Sequence, residues 1–420
     1  MLPANFSPFL YSLVPQWVAQ DASTCELIKF NAFETLIKGP LTAVTGSSWP
    51  PAAPRFVHGV NATAGEQWAF DATSSDGKSG LLIGFYHDPT YAFLGPGNLR
   101  LSLDAVWPNG STWSVVDYLS EAHLKICNQV TTGIWSKNNE STFYAFHFEP
   151  EKSLVSLEFH TPSVHGSITI NSLLPARFPD GALESTHTVQ ASTFNAPAVD
   201  WIEIIPAGRA DVRLSLDGTP FTWAGMGGAE RWWAGQGWLD AFQGWTAVRA
   251  VLGPYVLTYW APTSRLQAGK IFPSAFLARR GRKIFSASRI GPSMDTTNLD
   301  PYIEYRAFSE TGDLVSSTMD PGTNKPGVAK GYVLSLVEPR DGKRWDFTLL
   351  HENMEFNFDL GNDNGGVAYV GKAKGGEVGD DTYDGVFFNE KVDVTKLKVP
   401  GFYIMAATWF HRVKAGIFGH

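Results

Sequence analysis

Strict alternation limits what this chain can fold into. Leu99-Arg100-Leu101-Ser102-Leu103-Asp104-Ala105, Phe143-Tyr144-Ala145-Phe146-His147-Phe148 and Tyr332-Val333-Leu334-Ser335-Leu336-Val337 place apolar side chains at every second position. A period of two puts those side chains on one face of an extended strand, so each segment reads as a half-buried β-strand. Trp68-Ala69-Phe70-Asp71-Ala72 and residues 154–160, 211–216 and 402–407 repeat the pattern. Turn chemistry separates the runs: Ser75-Asp76-Gly77, Pro108-Asn109-Gly110, Pro179-Asp180-Gly181 and Arg340-Asp341-Gly342. Helical periodicity is confined to Trp238–Phe242 and a short stretch around Trp17. Many short strands with frequent turns predict an all-β chain of sandwiches or barrels. At 420 residues it is too long for one sandwich. A boundary after Ala261-Pro262-Thr263-Ser264-Arg265 divides it into residues 1–265 and a barrel-sized 266–420.

Apolar and aromatic residues make up 44% of the chain, enough for a full core, and the net charge is −8. The longest basic run is Arg279-Arg280-Gly281-Arg282-Lys283, so no basic face exists for nucleic acid. No run of apolar residues reaches the length of a transmembrane helix. The two cysteines, Cys25 and Cys127, are too few for a zinc site. They are either buried thiols or one long-range disulfide. Four glycosylation sequons, at Asn5, Asn61, Asn109 and Asn139, share the first third of the chain with them. Together these features predict the secretory pathway; a cytoplasmic location is the alternative, because no basic segment and apolar core open the chain.

The usual catalytic signatures are missing: no Gly-x-Ser-x-Gly, His-Glu-x-x-His or phosphate-binding loop occurs. Gly225-Met226-Gly227-Gly228 reads as a tight turn and residues 359–366 as a hairpin loop. The ten histidines do not cluster, so no metal site and no cofactor are expected. What stands out is the stretch from Trp223 to Trp260, with six tryptophans in 38 residues. Two readings fit it. One is an aromatic core in which Glu230 and Arg231 form an ion pair. The other is an aromatic-walled pocket with a few polar groups for a small molecule.

The strand Trp68-Ala69-Phe70-Asp71, then Gly84-Phe85-Tyr86-His87-Asp88-Pro89, then Gly227-Gly228-Ala229-Glu230-Arg231-Trp232-Trp233 with a following Gly-Trp and Gly253-Pro254-Tyr255, resembles the lipocalin-like proteins related to carotenoid hydratases. Within that group the chain is most similar to the fungal Diels–Alderases of polyketide and meroterpenoid pathways. The resemblance implies an N-terminal β-sandwich, a C-terminal lipocalin-like β-barrel and a ligand pocket between them. Glu230-Arg231-Trp232 stands where the hydratases carry acid and His residues, which points to the pericyclase branch.

A [4+2] cycloaddition needs no nucleophile and no cofactor, only reactant alignment and hydrogen bonds to a conjugated carbonyl. The expected substrate is a small apolar polyketide or terpenoid. Candidate walls are Trp68, Tyr86, Trp232, Trp233, Trp238 and Trp409, each with a core position as its alternative. Asp71 reads either as an inward acid that orients a substrate hydroxyl or as a solvent-facing strand residue. His87 fits a polarising group or a turn stabiliser, and Glu230 a base if Arg231 turns away. Lys372 and Lys374 alternate onto one face of a barrel strand, as cationic donors or a solvated face. Two reactions fit: a hetero-Diels–Alder joining an o-quinone methide to a macrocyclic terpene, favoured by the secretory features, and an intramolecular decalin-forming cycloaddition. A non-catalytic binder of an apolar metabolite is the rival class. An all-β carbohydrate hydrolase needs two carboxylates across one cleft, which Glu66 and Asp71 do not obviously supply.

Overall fold

The computed structural model describes residues 25–44, 49–89, 97–137, 142–184, 191–292, 297–309, 314–317, 329–361 and 364–397. Asn5, Asn139, Trp409, the Trp17 stretch and the 402–407 alternation lie outside the described residues. Nearly everything described is β, as the alternation requires. Among the described residues the first sheet has thirteen strands. They begin with β1 (Cys25–Asn31), β2 (Gly65–Ser74), β3 (Gly80–His87), β4 (Leu99–Val106), β5 (Thr112–Tyr118), β6 (Glu121–Cys127) and β7 (Val130–Ser136). They continue through β8 (Phe143–Glu149), β9 (Leu154–His160), β10 (Val164–Ser172), β11 (Phe194–Ala196), β12 (Val199–Leu216) and β13 (Thr219–Ala234). The sheet order is β1-β6-β7-β8-β9-β10-β12-β13-β2-β3-β4-β5, with β11 added to β12.

This long sheet curls over on itself. Its two halves pack face to face because β2 and β3 present Trp68 and Phe85 to β7 and β8. Trp68 and Phe85 stand 5.4 and 5.1 Å from Trp135, ring to ring, and Phe85 stands 5.4 Å from Phe146. Cys25 and Cys127 are directly opposite each other on β1 and β6, and a disulfide joins them. Of the two readings of the cysteines, the structure takes the bonded one.

The chain leaves the first sheet at Ala234 and passes through the short helix α1 (Trp238–Ala241) into a second sheet. That sheet has ten strands: β14 (Phe242–Leu252), β15 (Tyr255–Ser264), β16 (Ser274–Arg279), β17 (Arg282–Ala287) and β18 (Tyr302–Phe308). The rest are β19 (Leu314–Ser317), β20 (Gly331–Glu338), β21 (Lys343–Gly361), β22 (Asn364–Glu377) and β23 (Tyr383–Asp393). The order is β17-β16-β15-β14-β23-β22-β21-β20-β18-β19, and a parallel bridge from Ile290 to Ile303 of β18 nearly closes a barrel. Tyr255, Leu277, Leu334, Phe347 and Phe387 fill its interior. The 265/266 position falls inside this sheet, between β15 and β16.

Within the 359–366 segment expected as a hairpin loop, Asp359 pairs with Gly365 and Gly361 with Asn364, at the meeting of β21 and β22. Gly225–Gly228, expected as a turn, instead lies in the middle of β13, paired with β2 throughout. Its glycines answer to space and not to chain reversal, because no positive φ occurs there. The barrel's outer face packs on the first sheet through a seam that includes Leu82, Val106, Met226, Ala368, Val370 and Phe388. Beside that seam the two surfaces diverge and leave a cavity.

Candidate functional site

The cavity measures about 440 Å³ and is walled by the two sheets. Cross-strand register builds the first wall in rows. Trp232, Gln67, Tyr86 and Arg100 stand opposite one another on β13, β2, β3 and β4. The next row is Glu230, Ala69, Gly84 and Ser102, and the next Gly228, Asp71, Leu82 and Asp104. Because side chains alternate, Trp68, Phe70, Arg231 and Trp233 point the other way, into the core of the first sheet. The barrel contributes Trp245, Ala247 and Arg249 from β14, Trp260 from β15, Phe356 and Phe358 from β21, and Phe388 and Glu390 from β23. Trp238 of α1 and Trp245 meet edge to face at 5.8 Å, and Trp201 stacks on Trp260 at 4.9 Å. Trp238, Trp245 and Trp260, the last backed by Trp201, make one end of the cavity a rigid apolar wall.

Tyr86 lies flat on its sheet. Its ring covers Gly84, where a Cβ would come within 2.5 Å of the ring. The hydroxyl reaches Ser102 Oγ at 3.3 Å, and the Arg100 guanidinium stacks on the other ring face at 3.9 Å.

The polar end centres on Arg249, which crosses from the barrel into the first sheet. Its Nε donates to both Asp71 oxygens at 3.0 and 2.9 Å. Its Nη1 donates to the Ile205 carbonyl at 3.1 Å, to the Pro206 carbonyl and to Glu203 Oε1 at 3.5 Å. Nη2 lies 3.9 Å from Glu230. Glu203 is held further by Arg177 at 2.7 Å and by the Thr258 hydroxyl at 2.8 Å. Glu230 accepts one bond, from Trp201 Nε1 at 3.3 Å, and opens to the cavity.

Five carboxyls, Asp71, Asp104, Glu203, Glu230 and Glu390, line this low-dielectric space with the Arg249 and Arg100 guanidiniums, and the outcome is electrostatic. Burial pushes Glu230 up to about 8; Glu203, Asp71 and Glu390 add repulsion, while Arg249 opposes. Burial likewise lifts Glu390 to about 7 against a hydrogen bond from Trp245, and Asp104 to about 6. Burial raises Asp71 too, despite its Arg249 contact. Glu355 is the extra residue in a β21 bulge between Met354 and Phe356. It is buried with neither carboxyl oxygen paired, near Asp104, Asp71 and Glu390 in electrostatic terms, and is pushed well above the carboxylate range. Near neutral pH Glu230 is therefore mostly protonated and Glu390 about half so, which makes these two the hydrogen-bond donors of the cavity.

The structure gathers Asp71, Tyr86, Glu230, Trp232 and Trp238 in this cavity. It does not bring in Trp68, Trp233, His87, Lys372 or Lys374, and Trp409 lies outside the described residues. Trp68 and Trp233 are buried on the opposite face of their strands, and the Trp68 indole donates to the Ala52 carbonyl at 2.7 Å. His87, also on the core face, contacts Glu34 at 2.7 Å and Glu66 at 3.3 Å. Burial would lower His87, but those two carboxylates raise it to about 9. Arg231 pairs with Glu66 and not with its neighbour Glu230, because adjacent strand residues point to opposite faces. Glu66 is buried, yet Arg231 and His87 hold it below the ordinary range. For the same reason Glu66 and Asp71 share no cleft. Lys372 and Lys374 are exposed. They continue the β22 face of Ala368 and Val370 to the rim of the interdomain seam, where the Lys372 stem lies by the Gly77 turn and its ammonium stands 3.9 Å from Glu352.

Reading the sequence missed Arg249, Glu203, Glu390 and Asp104 as polar members of the site. Glu203 carried a signal, since it interrupts the apolar run Ile202-Glu203-Ile204-Ile205. Asp104 and Glu390 sit in ordinary alternating strands and carried none.

A cavity walled by aromatic rings and carboxyls between a curled sheet and a nearly closed barrel defines the class: an all-β protein of two large sheets with a pocket between them. Within it, the chain belongs to the family whose model, described as Diels-Alderase-like, matches residues 22–395. The chain is 44% identical over 412 residues to the Diels-Alderase poxQ of Penicillium oxalicum, covering 97% of this chain and 88% of that one. It is 30% identical over 391 residues to the hexane cyclase gkaB of Penicillium citrinum, covering 90% and 85%. Among solved structures, CghA with Sch210972 superposes with a TM-score of 0.73 at 21% identity, covering 89% of this chain and all of the other. The chain is thus a Diels–Alderase-type cyclase.

Proposed function

We propose that this cyclase closes a carbocycle by an intramolecular [4+2] cycloaddition on a linear polyene bearing a conjugated carbonyl. One observation carries the reading: an aromatic-walled cavity ends in carboxyls that burial keeps protonated, chiefly Glu230. The walls formed by Trp232, Trp238, Trp245, Trp260 and Phe388 hold the chain folded, with diene and dienophile close, which removes much of the entropic barrier. The Glu230 acid donates a hydrogen bond to the carbonyl, and Glu390 is positioned as a second donor. These bonds strengthen as electron density shifts toward oxygen in the transition state. No bond is broken by attack of a protein group, so the cavity needs no nucleophile. The name of the hexane cyclase relative supports formation of a six-membered carbocycle.

The same acids favour a second reading, the hetero-Diels–Alder of an o-quinone methide with a macrocyclic terpene. A protonated Glu230 or Glu390 would assist loss of water from a hydroxymethyl tropolone or phenol. An LC–MS time course with a linear polyenoyl tetramate, set beside a hydroxymethyl tropolone plus humulenol, separates the two. A single-stereoisomer adduct from the polyene, formed faster than with boiled protein, supports the first; an intermolecular adduct supports the second. Tryptophan quenching by both without acceleration leaves a binding protein.

A secretory location is part of this proposal. The Cys25–Cys127 disulfide supports it, as does Asn109, exposed at the β4–β5 turn. Asn61 is less suited, because it is half-buried and its Nδ2 donates to the Gly39 carbonyl. A mass decrease on endoglycosidase treatment of protein from a secreting host, mapped to Asn109, is the expected result.

A further inference from the structure

The glycine run Gly225-Met226-Gly227-Gly228 has no turn to make, so its composition calls for another cause. Gly228 faces the cavity side of β13, opposite Asp71 of β2. On its other side β12 bulges between Ile205 and Gly208, which breaks the pairing with β13. A missing side chain and a bulge together leave a gap in the first sheet, and the Arg249 guanidinium fills it. A Cβ on residue 228 would stand 2.2 Å from both Cζ and Nε of Arg249 and 2.4 Å from Nη1. The bulge turns the Ile205 and Pro206 carbonyls toward that guanidinium, and both accept from Nη1. The φ of Gly228 lies outside the left-handed region, so any residue fits its backbone. Only space demands glycine here.

We infer that Gly228 is a positioning residue that acts through Arg249: its absent side chain is the berth that seats the guanidinium among Asp71, Glu203 and Glu230. The neighbourhood leaves no equivalent seat. Asp71, the two carbonyls and Glu203 fix four directions around the guanidinium, and a methyl at residue 228 occupies its centre. Alanine would displace the far end of Arg249 and leave the β13 backbone in place. The guanidinium is also the group that opposes the upward push on Glu230 from burial and from Glu203, Asp71 and Glu390. Unseating it therefore leaves the acid more strongly protonated and Asp71 without its partner. Gly228 belongs to the Gly-Gly-x-Glu segment, so one residue makes room for the cation that tunes the carboxyl two positions on.

The test compares wild type, Gly228→Ala, Arg249→Gln and the double variant, each confirmed folded by near-UV circular dichroism. ¹³C-carboxyl NMR follows the Glu230 titration in all four, with Glu230→Gln identifying the signal. The titration midpoint should rise in Gly228→Ala by the same amount as in Arg249→Gln and no further in the double variant. This readout needs no turnover, so it stands even if the cyclase reading of the cavity fails. Where the polyenoyl tetramate probe is turned over, the alkaline fall in kcat should move to higher pH in each single variant, with no further shift in the double. An unchanged Glu230 midpoint in Gly228→Ala, or effects that add in the double variant, would overturn the inference. A Gly228→Ala variant that does not fold, while Arg249→Gln does, would overturn it as well, because the glycine would then serve the sheet itself.

Discussion

If Glu230 works as a hydrogen-bond donor, its proton sets the pH range of the enzyme, and Glu230→Gln should remove that limit. Glutamine keeps the shape and an N–H donor but does not titrate. With Glu230 at about 8, the protonated fraction is roughly 90% at pH 7 and roughly 10% at pH 9. The sign is that of an acid whose neutral form acts: the rate is full below this value and lost above it. Wild-type kcat should therefore fall about 10-fold between pH 7 and pH 9, with an earlier, smaller step from Glu390 near 7. Glu230→Gln should lose the later step. Glu230→Ala should lose about 10-fold at pH 7, less than the ~10²–10³ of an oxyanion-hole donor, because only partial charge develops on the carbonyl. The assay is the initial rate of cyclisation by LC–MS from pH 6 to 9.5. Its substrate is a polyenoyl N-acyl lactam, whose polar end does not ionise in that range, and the uncatalysed rate is subtracted at each pH. A flat wild-type profile, or an identical alkaline fall in Glu230→Gln, would refute the donor role.

Three further outcomes follow from the same structure. His87 is raised by Glu34 and Glu66, so its charged form contributes stability that is full below about 6.5 and is lost as pH rises through about 9. His87→Gln should cost roughly 3–5 kcal/mol at pH 7 and flatten the fall in unfolding free energy between pH 7 and 10, measured by urea titration; an unchanged slope would exclude His87 as its source. The Cys25–Cys127 bridge joins residues 102 apart, and reducing it should cost about 2–5 kcal/mol by denaturant titration with and without dithiothreitol, leaving cyclisation intact; equal midpoints would contradict this. Lys372→Ala and Lys374→Ala should change kcat by less than about 2-fold, because both side chains are exposed and neither lines the cavity; a larger loss would place the reacting substrate outside the cavity described.

The alternation of this chain was sufficient to determine that it is predominantly β, where most strands and turns lie, and which residues share a face. It paired Asp71 with Ala69 and Glu230 with Trp232 and set them against Trp68, Phe70 and Trp233, because side-chain direction in a strand is a local property. It also flagged the tryptophan-rich stretch that became much of the wall. What it did not contain was which face meets what. In β2 and β13 both faces are buried, one in the core of the first sheet and one against the barrel, so hydrophobicity does not separate Trp233 from Trp232 or Arg231 from Glu230. Alternation puts Lys372 and Lys374 on one face of their strand, yet only the docking of two sheets fixes that this face leaves the cavity before reaching them. The Arg249–Asp71 contact spans 178 residues of sequence, and the acidity of Glu230 depends on it. Local periodicity decides conformation residue by residue, whereas the site is made of charges and rings brought together from distant strands. Their energies depend on separation in space and on the exclusion of water, and both are properties of the packed pair of sheets alone.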